Sequence, residues 1–240
     1  MKIFFWSYRN ILMVGFILLI LLGIGLVAGE RTDLNLSMAA NFKTTEPIYQ
    51  GNKEESKMAL TFNVDWGEEY IEGILSVLDA HQVKATFFIT GRWAKKFPDL
   101  TKKIAEASHE IGNHGFSHPH PDQISKEKNQ QEILETEKEI NKSTGRKTVL
   151  FAPPYGEHGT VVLQAASELG YKTILWTIDT VDWDKSRTTE IIRAKVADKA
   201  EKGAIVLMHP TDRTLKALPL ILQNLKEKNF SLVTVTEVLN

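Results

Sequence analysis

The sequence predicts an α/β protein built on a parallel sheet, because strand-like and helix-like segments alternate along most of the chain. Short apolar runs alternate with longer segments in which apolar residues recur every three or four positions. Polar clusters follow the ends of several apolar runs, where a barrel gathers its catalytic groups. Seven such units in about 180 residues favour a distorted β/α barrel, with a doubly wound sheet as the alternative.

The elements of this region follow in order. Strands are predicted at residues 58–64, 85–89, 110–113, 148–151, 172–176, 204–208 and 231–234. Helices are predicted at residues 68–80, 94–107, 125–144, 160–169, 188–202 and 215–228. The first helix shows apolar residues at helical spacing, at Ile71, Ile74, Leu75 and Leu78. Glycines with the freedom to close a helix in the left-handed conformation follow three of the helices, at Gly145, Gly170 and Gly203.

Composition bounds the class of protein. The chain has 240 residues, of which 42% are hydrophobic and 25% charged, so it is globular rather than disordered. It has no cysteine, which excludes a disulfide scaffold, a Cys-ligated zinc finger, an iron–sulfur protein and a cysteine nucleophile. A net charge of −1 gives no electrostatic indication of nucleic-acid binding. No Gly-rich loop follows the first predicted strand, so no nucleotide cofactor is expected.

The N-terminal segment has the pattern of a membrane anchor. Residues 11–28 form an 18-residue run without a charge, and as a helix this run would span about 27 Å of the bilayer core. Lys2 and Arg9 precede it, which predicts that residues 1–10 stay in the cytoplasm and that the rest lies outside the membrane. A cleaved signal peptide is the alternative, and the protein would then be secreted. Residues 29–56 are interpreted as a polar linker, and residues 57–240 as the folded domain.

Five polar clusters follow predicted strands and carry the residues with chemical potential. They are NVDWG at 63–67, NHGFSH at 113–118, APPYG at 152–156, DTVDW at 179–183 and MHP at 208–210, after the first, third, fourth, fifth and sixth strands. Because the carboxyl ends of barrel strands share one face, the five clusters are expected to form one site.

The second of these clusters has the spacing of a metal site. Four of the seven histidines lie within residues 109–120. His114 and His118 are four positions apart, a common zinc-ligand spacing, and Asp65 supplies a carboxylate. Two histidines and a carboxylate suit zinc-dependent hydrolysis and also non-haem iron oxygenation, and the residue pattern alone leaves both open.

The remaining clusters supply an acid and an oxyanion site. His209 is placed to act as a general acid, and Asp182 could accept a hydrogen bond from its second ring nitrogen. The prolines of APPYG would stiffen a loop whose backbone N–H groups at Tyr155 and Gly156 could face an oxyanion. The residues that could form the walls of a small apolar pocket are Pro154, Trp183 and Leu207.

Taken together, these clusters resemble the polysaccharide deacetylases with a NodB homology domain (carbohydrate esterase family 4), over about residues 55–240. HEIGNHGFSHPH is similar to the second motif of that family, and APPYG, DTVDW and LMH to the third, fourth and fifth. The anchor, the TFNVDWG form of the first motif and the TVTEVL ending most resemble the sporulation-type (PdaB-like) branch. The resemblance implies a distorted (β/α)7 barrel of the NodB type and the metal-dependent removal of N-acetyl groups from glycans.

The resemblance also implies roles for single residues. Metal-bound water would attack the acetamide carbonyl, the Tyr155 N–H would bind the oxyanion, and His209 with Asp182 would protonate the leaving amine. The divalent metal would be zinc by default, with cobalt, nickel or manganese as alternatives, and the substrate would be cell-wall glycan, either peptidoglycan or chitin-like oligomers. The residues that would bind the metal are Asp65, His114 and His118.

Two positions depart from the family pattern. Asn63 stands where the family has the Asp that serves as general base, and Ala152 stands where it has the Arg that pairs with that Asp. Losing both is less costly than losing one, because a lone Arg would be an unpaired charge. Asn63 cannot take up a proton, and loss of a general base typically lowers the rate by about 10²–10⁴-fold. Either Asp179, Glu157 or Glu68 replaces the base, or the chain is a metal-retaining pseudoenzyme that binds glycan without turnover.

Overall fold

The structure, a computed structural model, describes residues 46–240. The predicted cytoplasmic segment 1–10, the predicted anchor 11–28 and the linker up to residue 45 lie outside the described residues. No helix within residues 46–240 is both long and apolar enough to cross a membrane.

The described chain forms a half-barrel of parallel strands. The strands are β1 (Lys57–Val64), β2 (Thr86–Ile89), β3 (Glu110–Asn113), β4 (Leu150–Phe151), β5 (Lys172–Thr173), β6 (Ile178–Asp179), β7 (Ile205–Met208) and β8 (Ser231–Val233). Their order is β5–β4–β3–β2–β1–β7–β6, and β8 pairs with the start of β1. In this order the strands follow one another around an incomplete ring, and the gap in the ring lies between β5 and β6. A doubly wound sheet reverses its order near the middle, so that alternative is wrong.

Helices connect the strands. They are α1 (Glu68–Ala80), α2 (Gly91–Lys96), α3 (Pro98–Glu106), α4 (Lys126–Thr144), α5 (Thr160–Glu168), α6 (Thr189–Asp198), α7 (Asp212–Glu227) and α8 (Val235–Leu239). Hydroxyl side chains accept hydrogen bonds from the first-turn N–H groups of several helices, as at Ser125 before α4 and Thr188 before α6. These caps explain why the predicted starts of these two helices lie within one residue of the observed ones.

Two predicted elements need correction, and one short helix was missed. The helix predicted at 94–107 is two helices that meet at Phe97, because Pro98 lacks a backbone N–H and occupies the first turn of α3. The strand predicted at 172–176 ends at Thr173, and DTVDW instead follows the separate strand β6. Helix α8 was not predicted, since its five residues are too few to show a helical period.

Side-chain alternation along β1 determines which residues face the barrel interior. Met58, Leu60, Phe62 and Val64 pack in the core that includes residues of α1 and α7. Ala59 points the other way, into an inner cluster with Phe88, Leu150 and Ile205. Successive side chains of a strand point to opposite faces, so Asn63 lies on the face of Ala59 and points into the barrel at the carboxyl end of β1.

Residues 48–52 bridge the opening of the ring. The backbone of Ile48 bonds to Thr173 and Leu175, and the Gly51 N–H donates to the Gly203 carbonyl at 2.8 Å, just before β7. The Asn52 N–H donates to the Val238 carbonyl of α8, also at 2.8 Å. This segment was predicted as linker and is instead part of the folded domain. The sequence could not indicate this, because backbone hydrogen bonds hold the segment and they require no periodic pattern of apolar side chains.

Candidate active site

The carboxyl ends of the strands surround a cavity of about 490 Å³. Side chains from all five polar clusters line it, so the clusters meet at one place. The lining residues are Asn63, Asp65, Trp66, His114, His118, Tyr155, Gly156, Trp176, Asp179, Trp183, Leu207 and His209. Two of the predicted site residues do not line the cavity: Pro154 is buried in its turn, and Asp182 is fully buried behind His209.

A buried carboxylate holds His209 in place. Asp182 Oδ1 accepts from His209 Nδ1 at 2.8 Å, and Asp182 Oδ2 accepts from the His209 backbone N–H at 2.7 Å. Thr214 Oγ1 of α7 donates to the same Oδ2 at 2.5 Å. Three donors therefore hold the Asp182 carboxylate, and His209 is fixed with Nδ1 on Asp182 and Nε2 as its free ring nitrogen. This is the geometry of an oriented general acid or base.

The first histidine of the 113–118 cluster is held in a single tautomer. His114 Nδ1 donates to the Ala152 carbonyl at 2.6 Å, which fixes the tautomer and leaves the lone pair on Nε2. Burial is the main cause that lowers the pKa of His114 to about 3, and burial also lowers the pKa of His118. Both rings are therefore neutral at neutral pH, the form that binds metals. The two ring centroids are 5.0 Å apart.

A buried glutamate from α4 holds the loop between these histidines. Glu132 is 4% exposed, and its Oε2 accepts from the backbone N–H groups of Phe116 at 2.8 Å and Ser117 at 2.6 Å. Its Oε1 accepts from Ser117 Oγ at 3.0 Å. The loop that carries His118 is thus anchored by one carboxylate, 14 residues farther along the sequence than His118.

Asp65 is engaged by two side chains. Its Oδ1 accepts from Thr90 Oγ1 at 2.8 Å and from Arg92 Nε at 2.6 Å, and its Oδ2 accepts from a terminal nitrogen of Arg92. The hydrogen bond with Asp65 is the largest cause that raises the pKa of Arg92. Arg92 therefore forms a bidentate ion pair with the carboxylate that was predicted to bind metal.

The predicted ligand set fits a divalent metal in its chemistry. Two neutral imidazoles and a carboxylate are zinc donors, and the Oδ1 of Asn63 is a buried acceptor without a partner among residues 46–240. In the described arrangement, however, no three His, Asp or Glu side chains of residues 46–240 are grouped closely enough to hold a metal ion. In this arrangement both oxygens of Asp65 are engaged in the ion pair with Arg92.

The two departures from the family pattern differ in their surroundings. Asn63 is 6% exposed and lines the cavity, and within the described part of the chain its Oδ1 has no hydrogen-bond partner. Ala152 is 3% exposed and packs in the inner apolar cluster, while its carbonyl accepts from His114. Of the three candidate replacement bases, Asp179 lines the cavity. Glu157 instead pairs with His120 at 2.7 Å, and Glu68 lies 3.9 Å from Lys96.

Backbone strain is concentrated at the site. His118, Tyr155 and Val181 have φ values of 57°, 58° and 56°, a region that β-branched and bulky residues rarely adopt. The Gly156 N–H donates to the Pro153 carbonyl at 3.1 Å, so of the two predicted oxyanion donors Gly156 is engaged in its own turn. The other non-glycine residues with positive φ each lie two residues after a helix, at Gln82, Ser108 and Asn229.

Aromatic rings flank the cavity on two sides. Trp66 is 43% exposed and stacks on His209, with the ring planes 3° apart and the centroids 6.0 Å apart. Tyr155 is 58% exposed, stacks on His120 at 3.9 Å and meets His118 edge-on at 4.7 Å. Exposed aromatic faces beside a largely apolar cavity that also holds polar side chains suit the apolar faces of sugar rings.

The comparison with known proteins agrees with this geometry. Residues 50–174 match the family profile described as polysaccharide deacetylase. The chain belongs to the polysaccharide deacetylase family. A peptidoglycan-N-acetylglucosamine deacetylase of Bacillus cereus is 34% identical over 192 residues, which cover 78% of this chain and 70% of that protein. The family leaves the oxygenase alternative without support, and the PdaB-like branch stays a prediction.

Two other relatives are also similar to this chain. The uncharacterized protein YlxY of Bacillus subtilis is 40% identical over 195 residues, which make up 81% of this chain but 61% of YlxY. The crystal structure of BA3943, described as a CE4 family pseudoenzyme from Bacillus anthracis, has a TM-score of 0.80 and 38% identity. The match covers 82% of this chain and 70% of that one. A mutant of BA3943 is described as having restored enzymatic activity.

Several residues at the site were not found from the sequence. Trp66 adjoins Asp65 in the first cluster, so its position next to a strand end could have identified it. The others lie outside the clusters, and their hydroxyl, guanidinium or carboxylate groups reach the site through tertiary contacts that no local pattern indicates. These residues are Thr90, Arg92, Glu132 and Thr214.

Proposed function

We propose that this chain is a metal-dependent hydrolase that removes N-acetyl groups from cell-wall glycan, with peptidoglycan as the first substrate and chitin-like oligomers as the second. The observation that carries the proposal is His209, which is held by the buried Asp182 and lines the same cavity as His114, His118 and Asp65. A general acid beside a set of metal donors is the equipment for hydrolysing an amide. The name of the Bacillus cereus relative supports a peptidoglycan substrate.

The residues of the chain would divide the work as follows. Asp65, His114 and His118 would hold the divalent metal, zinc or else cobalt, nickel or manganese, and the bound ion would polarise the acetamide carbonyl as a Lewis acid. The backbone N–H of Tyr155 would donate to the oxygen as negative charge develops on it. His209 would deliver a proton from Nε2 to the leaving amine, and Asp182 would stabilise the positive ring before that transfer.

The site has no general base at the position where the family has an Asp. Asn63 cannot accept a proton, so the reaction needs another group to take one from water. Asp179 lines the cavity and is the candidate replacement, with one carboxylate oxygen engaged by the Val181 N–H at 2.8 Å. We expect turnover that is about 10²–10⁴-fold slower than that of a relative with a base at this position.

A second function, glycan binding without turnover, is favoured by one observation. The Asn63 Oδ1 is buried and unpaired at the position of the base, and Ala152 fills the place of the family's Arg with an apolar side chain. The similar protein BA3943 is described as a pseudoenzyme. The cavity and its exposed aromatic rings would then serve recognition alone.

Acetate release separates the two functions. The purified chain with zinc is given muropeptides or chitooligosaccharides, and His114→Ala is the control. Acetate that is lost in His114→Ala supports the hydrolase, and its further loss in Asp179→Asn assigns the base. If the unsubstituted chain releases no acetate and Asn63→Asp with Ala152→Arg does, the chain is a binding protein with a restorable site. If neither releases acetate, the hydrolase proposal is wrong.

We also propose that residues 11–28 anchor the chain in the cytoplasmic membrane, with the folded domain outside it. The proposal rests on the charge-free run and on the Lys2 and Arg9 that precede it. Protease added to intact cells should degrade the domain while a cytoplasmic marker survives. A domain that remains intact until the cells are lysed would contradict this location, and a domain found in the medium would indicate a cleaved signal.

A further inference from the structure

The ion pair between Arg92 and Asp65 lies at the position that a metal needs. Arg92 donates from two nitrogens to the two oxygens of Asp65, so both oxygens already have a cationic partner. The Asp65 side chain is 11% exposed, which makes it costly to leave this carboxylate unpaired. The guanidinium of Arg92 therefore already serves as the cation beside Asp65.

The backbone fixes Arg92 beside the histidines. The N–H groups of Gly91 and Arg92 donate to the carbonyls of Gly115 and Phe116, each at 3.0 Å. The first turn of α2 is thus joined to the loop that carries His114 and His118. A β-carbon at Gly91 would lie 2.3 Å from a ring atom of Phe116, so the approach is close enough to require glycine there.

The two partners differ in their freedom to move. The Arg92 side chain is 51% exposed and can turn out into solvent, where its charge is fully hydrated. Asp65 is also held by Thr90 Oγ1 at 2.8 Å, so it keeps its orientation when the guanidinium leaves. A divalent ion could then take the place of Arg92 without any rearrangement of the strands.

We propose that Arg92 is a resident counter-ion of this site, which occupies Asp65 until a divalent cation displaces it and thereby sets the metal affinity. The inference rests on the proposed metal dependence and adds a residue that controls it. Arg92 engages both oxygens of Asp65, and a divalent ion at the same carboxylate would repel the guanidinium, so the bound ion is expected to displace Arg92. The ion pair neutralises the buried carboxylate in the metal-free chain and weakens metal binding by competition.

Zinc titration calorimetry on the full-length protein tests this competition. Arg92→Gln should bind zinc at least about tenfold more tightly than the unsubstituted chain, because one charge-assisted bidentate pair no longer has to be broken. Arg92→Lys should fall between them, since a lysine can pair with Asp65 but not as a fork. Lys95→Gln removes the same charge from the same exposed surface of α2 and should leave the affinity unchanged. Asp65→Asn should lose binding.

The outcomes separate this inference from the proposed function. If the unsubstituted chain binds zinc and Arg92→Gln binds with equal or weaker affinity, Arg92 is not a competitor, while the metal-dependent hydrolase stands. If neither protein binds any divalent metal, both proposals fail. Thermal unfolding gives a second readout: without metal Arg92→Gln should have a lower Tm than Lys95→Gln, and zinc should raise its Tm by more. A metal-free Tm equal to that of Lys95→Gln would contradict the stabilising role of the pair.

Discussion

Single residues decide what kind of chemistry this site can perform. Asn63 keeps the size and the position of an acid but not its proton affinity, and its Oδ1 is buried without a partner among residues 46–240. Ala152 loses a side-chain charge, yet its carbonyl still holds His114 in the tautomer that a metal ligand needs. The two positions therefore lack the family's base and the partner of that base, while the tautomer of His114 is preserved.

The histidine cluster shows how sequence distance can mislead at this scale. His109 and His114 are close in sequence but lie before and after β3, at opposite ends of the strand. The ring of His109 is 2% exposed, and its Nδ1 accepts from the Ala85 N–H at 3.2 Å. His109 is thus a buried structural residue, and a count of nearby histidines could not reveal this.

His109 should make stability depend on pH. Burial lowers its pKa to about 4, whereas in the unfolded chain it has an ordinary value near 6.5. Between these two values the unfolded chain binds more protons, so the free energy of unfolding falls as the pH drops through that window. The expected loss is roughly 2–3 kcal/mol between pH 7 and pH 4.

His109→Asn isolates this contribution, because asparagine can still accept from the Ala85 N–H but does not titrate. Urea unfolding of both proteins, with a chelator present to exclude metal, is measured at a series of pH values. The unsubstituted chain should lose more stability on acidification than His109→Asn. Parallel curves would show that His109 is protonated in the folded state as easily as in the unfolded one.

At the scale of elements, α4 positions the loop that carries His114 and His118, although none of its residues lines the cavity. Glu132 lies on its buried face and satisfies two backbone N–H groups of the loop. The long helix was predicted at residues 125–144 with Gly145 at its end, and the structure has it at Lys126–Thr144. The role of the buried Glu132 was not predicted, since a charged residue in an amphipathic helix is usually assigned to the solvent-facing side.

Glu132→Ala should therefore cost more stability than an ordinary surface substitution. It removes a charged acceptor from the partly buried N–H groups of Phe116 and Ser117, which is expected to lower the free energy of unfolding by about 2–4 kcal/mol. Glu135→Ala is the matched control on the same helix, because Glu135 accepts from Gln131 one turn away on that helix. Urea unfolding measures both. Equal losses would mean that water replaces Glu132 in the loop.

The strands show which elements could be predicted from the sequence and which could not. Strands β1 and β3 were predicted to within one residue, because each leads directly into a polar cluster. Strands β5 and β6 have two residues each, and no period can be read from two residues. Their pairing is set by neighbouring strands, so the connection at DTVDW could be found only from the structure.

At the scale of the whole molecule, the strand order makes the site. Seven strands run around a ring with their carboxyl ends on one rim, so clusters that are far apart in sequence line one cavity. The sequence was sufficient to predict this convergence, because alternating units imply parallel strands with a common direction. It could not predict how the ring is bridged, since residues 48–52 show no strand pattern.

The bridge should contribute to the stability of the entire half-barrel. Residues 48–52 join β5, the start of β7 and helix α8, which are otherwise separated by the opening of the ring. Compared with a chain that begins at residue 46, a chain that begins at residue 53 loses these backbone bonds and the packing of Ile48 against the inner cluster. We expect its free energy of unfolding to be lower by about 2–4 kcal/mol.

Gly51→Ala tests the same bridge without removing it. A β-carbon at Gly51 would lie 2.2 Å from the Val238 carbonyl oxygen, so the segment or α8 must shift. The Ile48 that precedes it pairs with Ile174, two residues before the cavity-lining Trp176, so a displaced bridge should also disturb that wall. Urea unfolding should therefore show a loss for Gly51→Ala that approaches the loss for the shortened chain, with a change in tryptophan fluorescence of the folded state. Full stability in Gly51→Ala would mean that the bridge rests loosely on the ring and that the strands close the barrel unaided.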